Sequence, residues 1–206
     1  MGLYKTRILP GFMDKMTSSP ETAALRKEQL APARGRLLEI GFGTGLNIPH
    51  FPSSVTSVIG LDPNPGVEKL ARPRISSALI PVELRMGSGE RLPFPDASFD
   101  TVVTTLVLCA VEDVEATLKE IRRVLAPGGC YLLMEHGLAP DAKVQKWQRR
   151  MNGFSKLVLG CHLNRPIGQM VTGSGFKFQS SRQFFQDKAP KFAGYTTLAV
   201  AVPAVT

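Results

Sequence analysis

Arg36 to Asn47 reads RLLEIGFGTGLN and places three glycines at alternate positions, Gly41, Gly43 and Gly45, behind the apolar run Leu37, Leu38 and Ile40. Glycine has no Cβ, so it enters positive φ without a clash and lets the backbone touch a ligand. An apolar run that breaks into glycines predicts a buried parallel strand turning tightly into a helix. The first free N–H groups of that helix would favour an anionic part of the ligand. A dinucleotide-binding G-x-G-x-x-G would need its third glycine at position 46, where Leu46 stands, and this argues against an NAD-binding oxidoreductase. The pattern present is E-x-G-x-G-x-G, with Glu39 inside the strand.

Asp62 closes the next apolar run. An acid at the end of the second strand of a nucleotide-binding α/β fold accepts hydrogen bonds from two ribose hydroxyls, while Asp-Pro also serves as a helix cap. Residue types able to attack or carry a proton follow further on. Thr105, Cys109 and His136 fall at the carboxyl ends of later strand candidates, and Cys161 and His162 fall in a later loop. His136 suits a general base, or a brace for a carbonyl. Cys109 also reads as a small buried hydrophobe. Glu135 is read as pairing with an arginine. Cys161 and His162 are too close together to form a metal site between them, the three cysteines are spread widely, and no metal is expected.

Alternating elements must position these groups. The runs 36–40, 57–61, 81–85, 100–106 and 130–134 read as strands, the fourth rich in β-branched residues. Helices are expected over 63–71, stopped before Pro73, and over 113–125, stopped by Pro127-Gly128-Gly129. Strict alternation implies right-handed crossovers and a parallel sheet inside a three-layer α/β domain. Two last strands, 176–185 and 195–202, have no helix between them and form an antiparallel pair. The apolar stripe Val144, Trp147, Met151, Phe154 and Val158 is expected to be core, with Lys143, Lys146 and Arg150 on a solvated face. Residues 1–35 form a helical preamble interrupted at Pro10-Gly11, with a second helix from Pro20 to about Leu30 capped at Ser19. The preamble would act as a lid or as padding for the sheet.

At 206 residues the chain fits one domain, with 36–136 as its ligand-binding core and 137–206 as a helix, loop and strand pair on the substrate side. No apolar run approaches a membrane span and the N-terminus has no cleavable leader, so the cytoplasm is the expected location. The net charge of +8 fits a solvated surface or contact with an anionic membrane surface. No basic–aromatic alternation supports a base-stacking platform, so no nucleic acid is expected.

EIGFGTG, Asp62, LPFPDASFD and IRRVLAPGGC, in this order over about 36–136, resemble the class I S-adenosylmethionine-dependent methyltransferases. LDPNP, TLVLCAV, LLMEHG and GCHLNRPIG are most similar to the methyltransferase-like thiol S-methyltransferases and to bacterial lipid and quinone methyltransferases. The resemblance implies a Rossmann-like, seven-stranded, mostly parallel sheet with the last strand antiparallel. It implies S-adenosylmethionine as cofactor, S-adenosylhomocysteine as product, and a small or lipophilic acceptor: a thiol, a quinone-like molecule or a lipid head group. Gly41, Gly43 and Gly45 would pack against the methionine part of the cofactor, Glu39 would orient its amino group and Asp62 would hold the ribose. Gly87, Ser88, Gly89 and Glu90 would flank the adenine, with Ser88 where the family usually has Asp. Asn47, Pro63, Thr105 and Leu106 complete the expected cofactor contacts, and His136, Cys109 and His162 are the candidate catalytic groups. The thiol-methylating relatives carry an apolar N-terminal anchor that this chain is expected to lack. A non-catalytic cofactor-binding subunit remains the alternative, although the glycines and Asp62 are all present.

Overall fold

A computed structural model describes residues 2–204. A π-turn at Tyr4–Ile8 runs into α1 (Leu9–Thr17), followed by α2 (Pro20–Leu30). Ser19 caps α2 by accepting from the Thr22 N–H at 3.1 Å, with Pro20 at the first position where its missing N–H costs nothing. The alternating part comprises β1 (Gly35–Ile40), β2 (Val55–Asp62), α3 (Glu68–Ser76), β3 (Val82–Met86), β4 (Phe99–Thr105), α4 (Val114–Val124) and β5 (Leu125–His136). Then come α5 (Ala142–Leu159), α6 (Ile167–Gly173), β6 (Phe176–Phe185), the short α7 (Lys191–Gly194) and β7 (Tyr195–Pro203).

The strands form one seven-stranded sheet in the order β3-β2-β1-β4-β5-β7-β6. β1 to β5 pair in parallel, and β7 inserts antiparallel between β5 and β6. Successive side chains of β1 point to opposite layers. Leu38 and Ile40 join Leu118 and Ile121 of α4, whereas Leu37 joins Leu30 of α2 and Ala71 of α3. The register sets Ile40 beside Leu61 and Thr104, so β1, β2 and β4 end together and their following loops share one mouth.

Several expectations are corrected. A single 3₁₀ turn, Ile48–His50, follows the glycine loop in place of a full helix, because Pro49 and Pro52 remove the donors a longer helix needs. α3 starts at Glu68 and continues through Pro73 to Ser76, on an exposed surface where water can take the freed carbonyl. Pro10 does not interrupt the preamble, since it occupies the opening positions of α1. β5 begins at Leu125, and Pro127-Gly128-Gly129 are absorbed as an irregularity in its register with β4. The apolar stripe of α5 is largely outside the core: Trp147 is 58% exposed and Phe154 61%. The buried side of α5 is polar instead, because Gln148 fastens the segment after β5. Its amide donates to the Gly137 carbonyl at 2.8 Å and its oxygen accepts from the Ala139 N–H at 3.0 Å. No helix among the described residues is long and apolar enough to cross a membrane.

Candidate active site

The shared carboxyl ends of β1, β2 and β4 open into a cavity of about 630 Å³, within the ~300–1,000 Å³ of small-molecule sites. Its floor is the glycine loop. Gly41 and Phe42 both donate their N–H to the Leu61 carbonyl, at 2.8 and 3.1 Å, which folds the loop over the end of β2. Gly41 has φ +69°, and a Cβ there would stand 2.3 Å from Val107 Cγ2, so only glycine fits. Gly43, at φ +55°, lines the cavity with open space where its side chain would be.

Asp62 is held by the same loop. Its Oδ2 accepts from the Gly43 N–H at 2.8 Å and its Oδ1 from the Asn64 N–H at 2.8 Å. A carboxylate offers about four acceptor sites, so two remain for a ligand. Burial raises its pKa, opposed by those two N–H groups. Pro63 and the segment Gly87–Glu90 continue the wall. Gly87 and Gly89 fit because Cβ atoms there would press on Leu61 and Ile40, at 2.7 and 2.9 Å. The Ser88 hydroxyl accepts from the Glu90 N–H at 3.3 Å and keeps its own proton to donate.

Glu39 is 2% exposed yet lines the cavity. Its Oε1 accepts from Asn47 Nδ2 at 2.8 Å, while Oε2 has no partner among the described residues. Burial pushes the Glu39 pKa up to about 8, against the pull of Arg26 and Asn47. Arg26, on α2, reaches the same wall, and its Nε is likewise buried without a partner. An orphaned carboxylate oxygen beside an orphaned guanidinium nitrogen suits a ligand carrying both an ammonium and a carboxylate, as the methionine end of S-adenosylmethionine does.

Two expected contacts stand behind the wall. Gly45 abuts Ile48 and Phe42, and Asn47 is fully buried. Asn47 braces the site, donating to Glu39 and to Thr105 Oγ1 at 3.0 Å and accepting from Arg26 at 2.8 Å. Thr105 and Leu106 do line the cavity. Arg26 is the cavity residue that the sequence does not announce. The available signal was the pair Arg26 and Gln29 on the same helix face as buried Leu25 and Leu30. α1 roofs the mouth with Leu9, Pro10 and Met13. Asp14 ties the roof down through a 2.8 Å ion pair with Arg74 and a hydrogen bond from the Thr44 hydroxyl. Asn64 donates to the Lys5 carbonyl at 2.8 Å, and the Thr6 carbonyl lies so close to Gly66 that no Cβ would fit there. α1 thus covers the cavity, while α2 pads the sheet through Leu25 and Leu30.

None of the three candidate catalytic residues lines this cavity, although its wall includes Val107 and Ala110 on either side of Cys109. The fold does unite residues that the sequence reading kept apart. Cys109 Sγ, an imidazole nitrogen of His136 and Cys161 Sγ lie within 4.8 Å of one another, against the expectation that the cysteines form no cluster. Cys161 is brought there by the Cys109 carbonyl, which accepts from the His162 N–H at 2.7 Å. The His162 ring is outside the cluster; burial lowers its pKa, helped by Arg165. Within the cluster, the hydrogen bond from Cys109 and then that from His136 favour a thiolate at Cys161, while the Cys109 thiol is pushed up. Among the described residues Glu135 forms no ion pair with an arginine. Its Oε1 accepts from the Val107 N–H at 3.0 Å, and burial raises its pKa to about 7.

Comparison with known proteins agrees with this geometry. Residues 38–133 match the family described as "Methyltransferase domain". The human thiol S-methyltransferase TMT1B is 38% identical over 177 residues, covering 82% of this chain and 72% of that protein. A phosphatidylethanolamine N-methyltransferase from Cereibacter sphaeroides is 38% identical over 139 residues, covering 66% of this chain and 68% of the other. The chain spans only 59% of the rat TMT1B it matches. In structure, the YcgJ protein of Bacillus subtilis superposes with a TM-score of 0.69 at 18% identity, over 89% of this chain and 98% of that one, and so shares the fold. With the family match falling on the strands that build the cavity, the chain belongs to the S-adenosylmethionine-dependent methyltransferases.

Proposed function

We propose that the protein transfers the methyl group of S-adenosylmethionine to the sulfur of a small, lipophilic thiol. The cofactor supplies an electrophilic methyl on a sulfonium, so the protein's task is to align a nucleophile and exclude water. Glu39 and Arg26 would hold the ammonium and carboxylate ends, Asp62 the ribose hydroxyls, and Gly87–Glu90 the adenine, with Ser88 hydrogen-bonding in place of an acid. The lid on α1 would keep water away. The observation that carries the acceptor class is the apolar lining of the cavity: Leu9 and Met13 of the lid together with Leu106, Val107 and Val111. Such a wall favours a lipophilic body over a charged one. The 38% identity to a thiol S-methyltransferase supports sulfur as the accepting atom. A screen with labelled cofactor across alkanethiols, quinols and phosphatidylethanolamine vesicles should label the thiols. Label only in quinol or phospholipid would replace the thiol.

A second feature bears on where such an acceptor is met. Ile8, Phe12 and Met16 are exposed along the outer side of the lid, and Trp147, Phe154 and Leu157 along α5. The turn before the lid touches the end of α5, where the Tyr4 hydroxyl donates to the Val158 carbonyl at 3.2 Å. Lys15, Lys143, Lys146 and Arg150 flank them, Arg150 lying 5.8 Å over the Trp147 ring. Apolar stripes with basic flanks fit an anionic lipid surface. The protein should therefore float with phosphatidylserine vesicles at low salt and lose them on Trp147→Ala with Phe154→Ala. Absence of flotation at low salt would leave these faces as plain solvated surface.

A further inference from the structure

We propose that Cys109, His136 and Cys161 form a three-ligand site for a zinc-type divalent ion, whose fourth position takes the acceptor thiol. The metal site stands on the cluster alone, and the role of the fourth position rests on the thiol reading above.

Two thiolates and an imidazole are a ligand set that zinc favours, and three protein ligands with one open position mark its catalytic sites. The three ligand atoms come from separate elements: the loop after β4, the end of β5 and the loop after α5. All lie within 4.8 Å of one another. Ligands about 2.3 Å from a shared zinc stand roughly 3.5–4 Å apart, so a contraction of about 1 Å closes the site. The backbone is already fixed around it. The His162 N–H holds the Cys109 carbonyl, and the Arg165 guanidinium donates to the Leu108 carbonyl. Gly160, at φ +76°, ends α5 and turns the chain into Cys161. The outer charges also match. Glu135 is fully buried with Oε2 unpartnered among the described residues, and both it and Arg165 act on the cluster electrostatically. Formal charges of a divalent ion and two thiolates sum to zero, which answers much of the cost of burying them.

The position suits sulfur chemistry, because the cluster stands at the carboxyl ends of β4 and β5, behind the wall segment Val107–Val111. An acceptor thiol that takes the fourth position gives its proton to solvent and stays a thiolate at neutral pH. Its sulfur then forms the bond to the methyl carbon as the carbon–sulfonium bond breaks and leaves its electron pair on the cofactor sulfur. The product thioether is uncharged and a weaker ligand, which favours its release.

The test uses the full chain purified under reducing conditions, loaded with zinc and, separately, with cobalt as a spectroscopic probe. One equivalent of zinc is expected by elemental analysis, with tetrahedral cobalt bands and charge-transfer intensity for two thiolates. Cys161→Ser and Cys109→Ser should each lose the bound metal while still binding S-adenosylmethionine in a calorimetric titration, which reports an intact fold. A small alkanethiol should raise the charge-transfer intensity to that of three thiolates. No stoichiometric metal in the reduced protein, or a Cys109–Cys161 disulfide by mass in its place, overturns the site. Bound metal whose spectrum ignores a thiol that is nevertheless methylated overturns the acceptor role. Bound metal with no thiol methylated refutes the thiol reading and leaves the metal site supported.

Discussion

The glycine-loop cavity, which we propose as the cofactor end, and the cysteine–histidine corner are built differently. The cofactor end is made of short chain segments that end together on neighbouring strands, and its groups are held mostly by backbone: Leu61 O, Gly43 N–H and Asn64 N–H. The cysteine–histidine corner joins single side chains from three separate elements, and nothing in the local chain around any one of them announces the other two. Arg26 and the lid apart, the cofactor end is therefore a property of local backbone shape, with no room for a Cβ at Gly41, Gly87 or Gly89. The corner is a property of tertiary packing, tolerant of most things except a change in those side chains. A substitution at one end should leave the function of the other intact.

The largest expected effect breaks the corner alone. His136→Asn should slow methyl transfer by about 10²–10⁴-fold, the range for losing a positioned proton carrier, whether the imidazole takes a proton or holds a metal. Affinity for S-adenosylmethionine should stay at the wild-type value, because His136 is no part of the cofactor cavity. Single-turnover kinetics beside a calorimetric titration separates the two quantities. A fall in cofactor affinity equal to the fall in rate would show that the two ends are one unit.

Asp62→Ala tests the opposite end. Two ribose hydroxyls would lose a charged acceptor, at about 1.5–3 kcal/mol for such hydrogen bonds, so affinity should fall roughly tenfold or more. The Gly43 and Asn64 N–H groups would lose the same carboxylate, so part of the loss would come from a loosened loop. The rate at saturating cofactor should change far less. Unchanged affinity in a folded variant would remove Asp62 from the site.

This division also explains what could be read from the chain. The sheet, its antiparallel β7, the glycine loop, Asp62 and the Gly87–Glu90 wall were legible, because periodicity and glycine spacing encode backbone shape directly. The stripe of α5 reads as core but lies largely exposed, since periodicity reports an apolar face without saying what covers it. Asn47 follows the loop and so reads as a ligand contact, whereas in the fold its amide donates to Glu39 and Thr105. Arg26 and the cysteine cluster were invisible for one reason: both depend on which distant segments the fold sets side by side.

The smallest effect expected is a change in proton count, and it sharpens the reading of the cofactor end. Burial raises the Glu39 pKa from 4.5 to about 8, so in the free protein at neutral pH the group holds a proton that it would lose in the unfolded chain. The sign follows directly. Its contribution to stability is fully present below about 4.5 and is lost as pH rises through about 8. A cofactor ammonium placed against the orphaned Oε2 favours the ionised form, so binding should expel that proton. At pH 6.5–7 the protein should thus release up to about one proton per cofactor, and affinity should rise with pH toward about 8. Asp62, raised by burial, and the cofactor's own amine can add to the proton count, and Arg26 faces the same carboxylate. Glu39→Gln isolates the Glu39 share by removing its proton while keeping the hydrogen bond from Asn47. Calorimetry in two buffers of different ionisation heat gives the proton count for each protein. Equal counts in the two would mean that Glu39 is ionised before the cofactor arrives, held so by Arg26, and that the ammonium meets a carboxylate already formed.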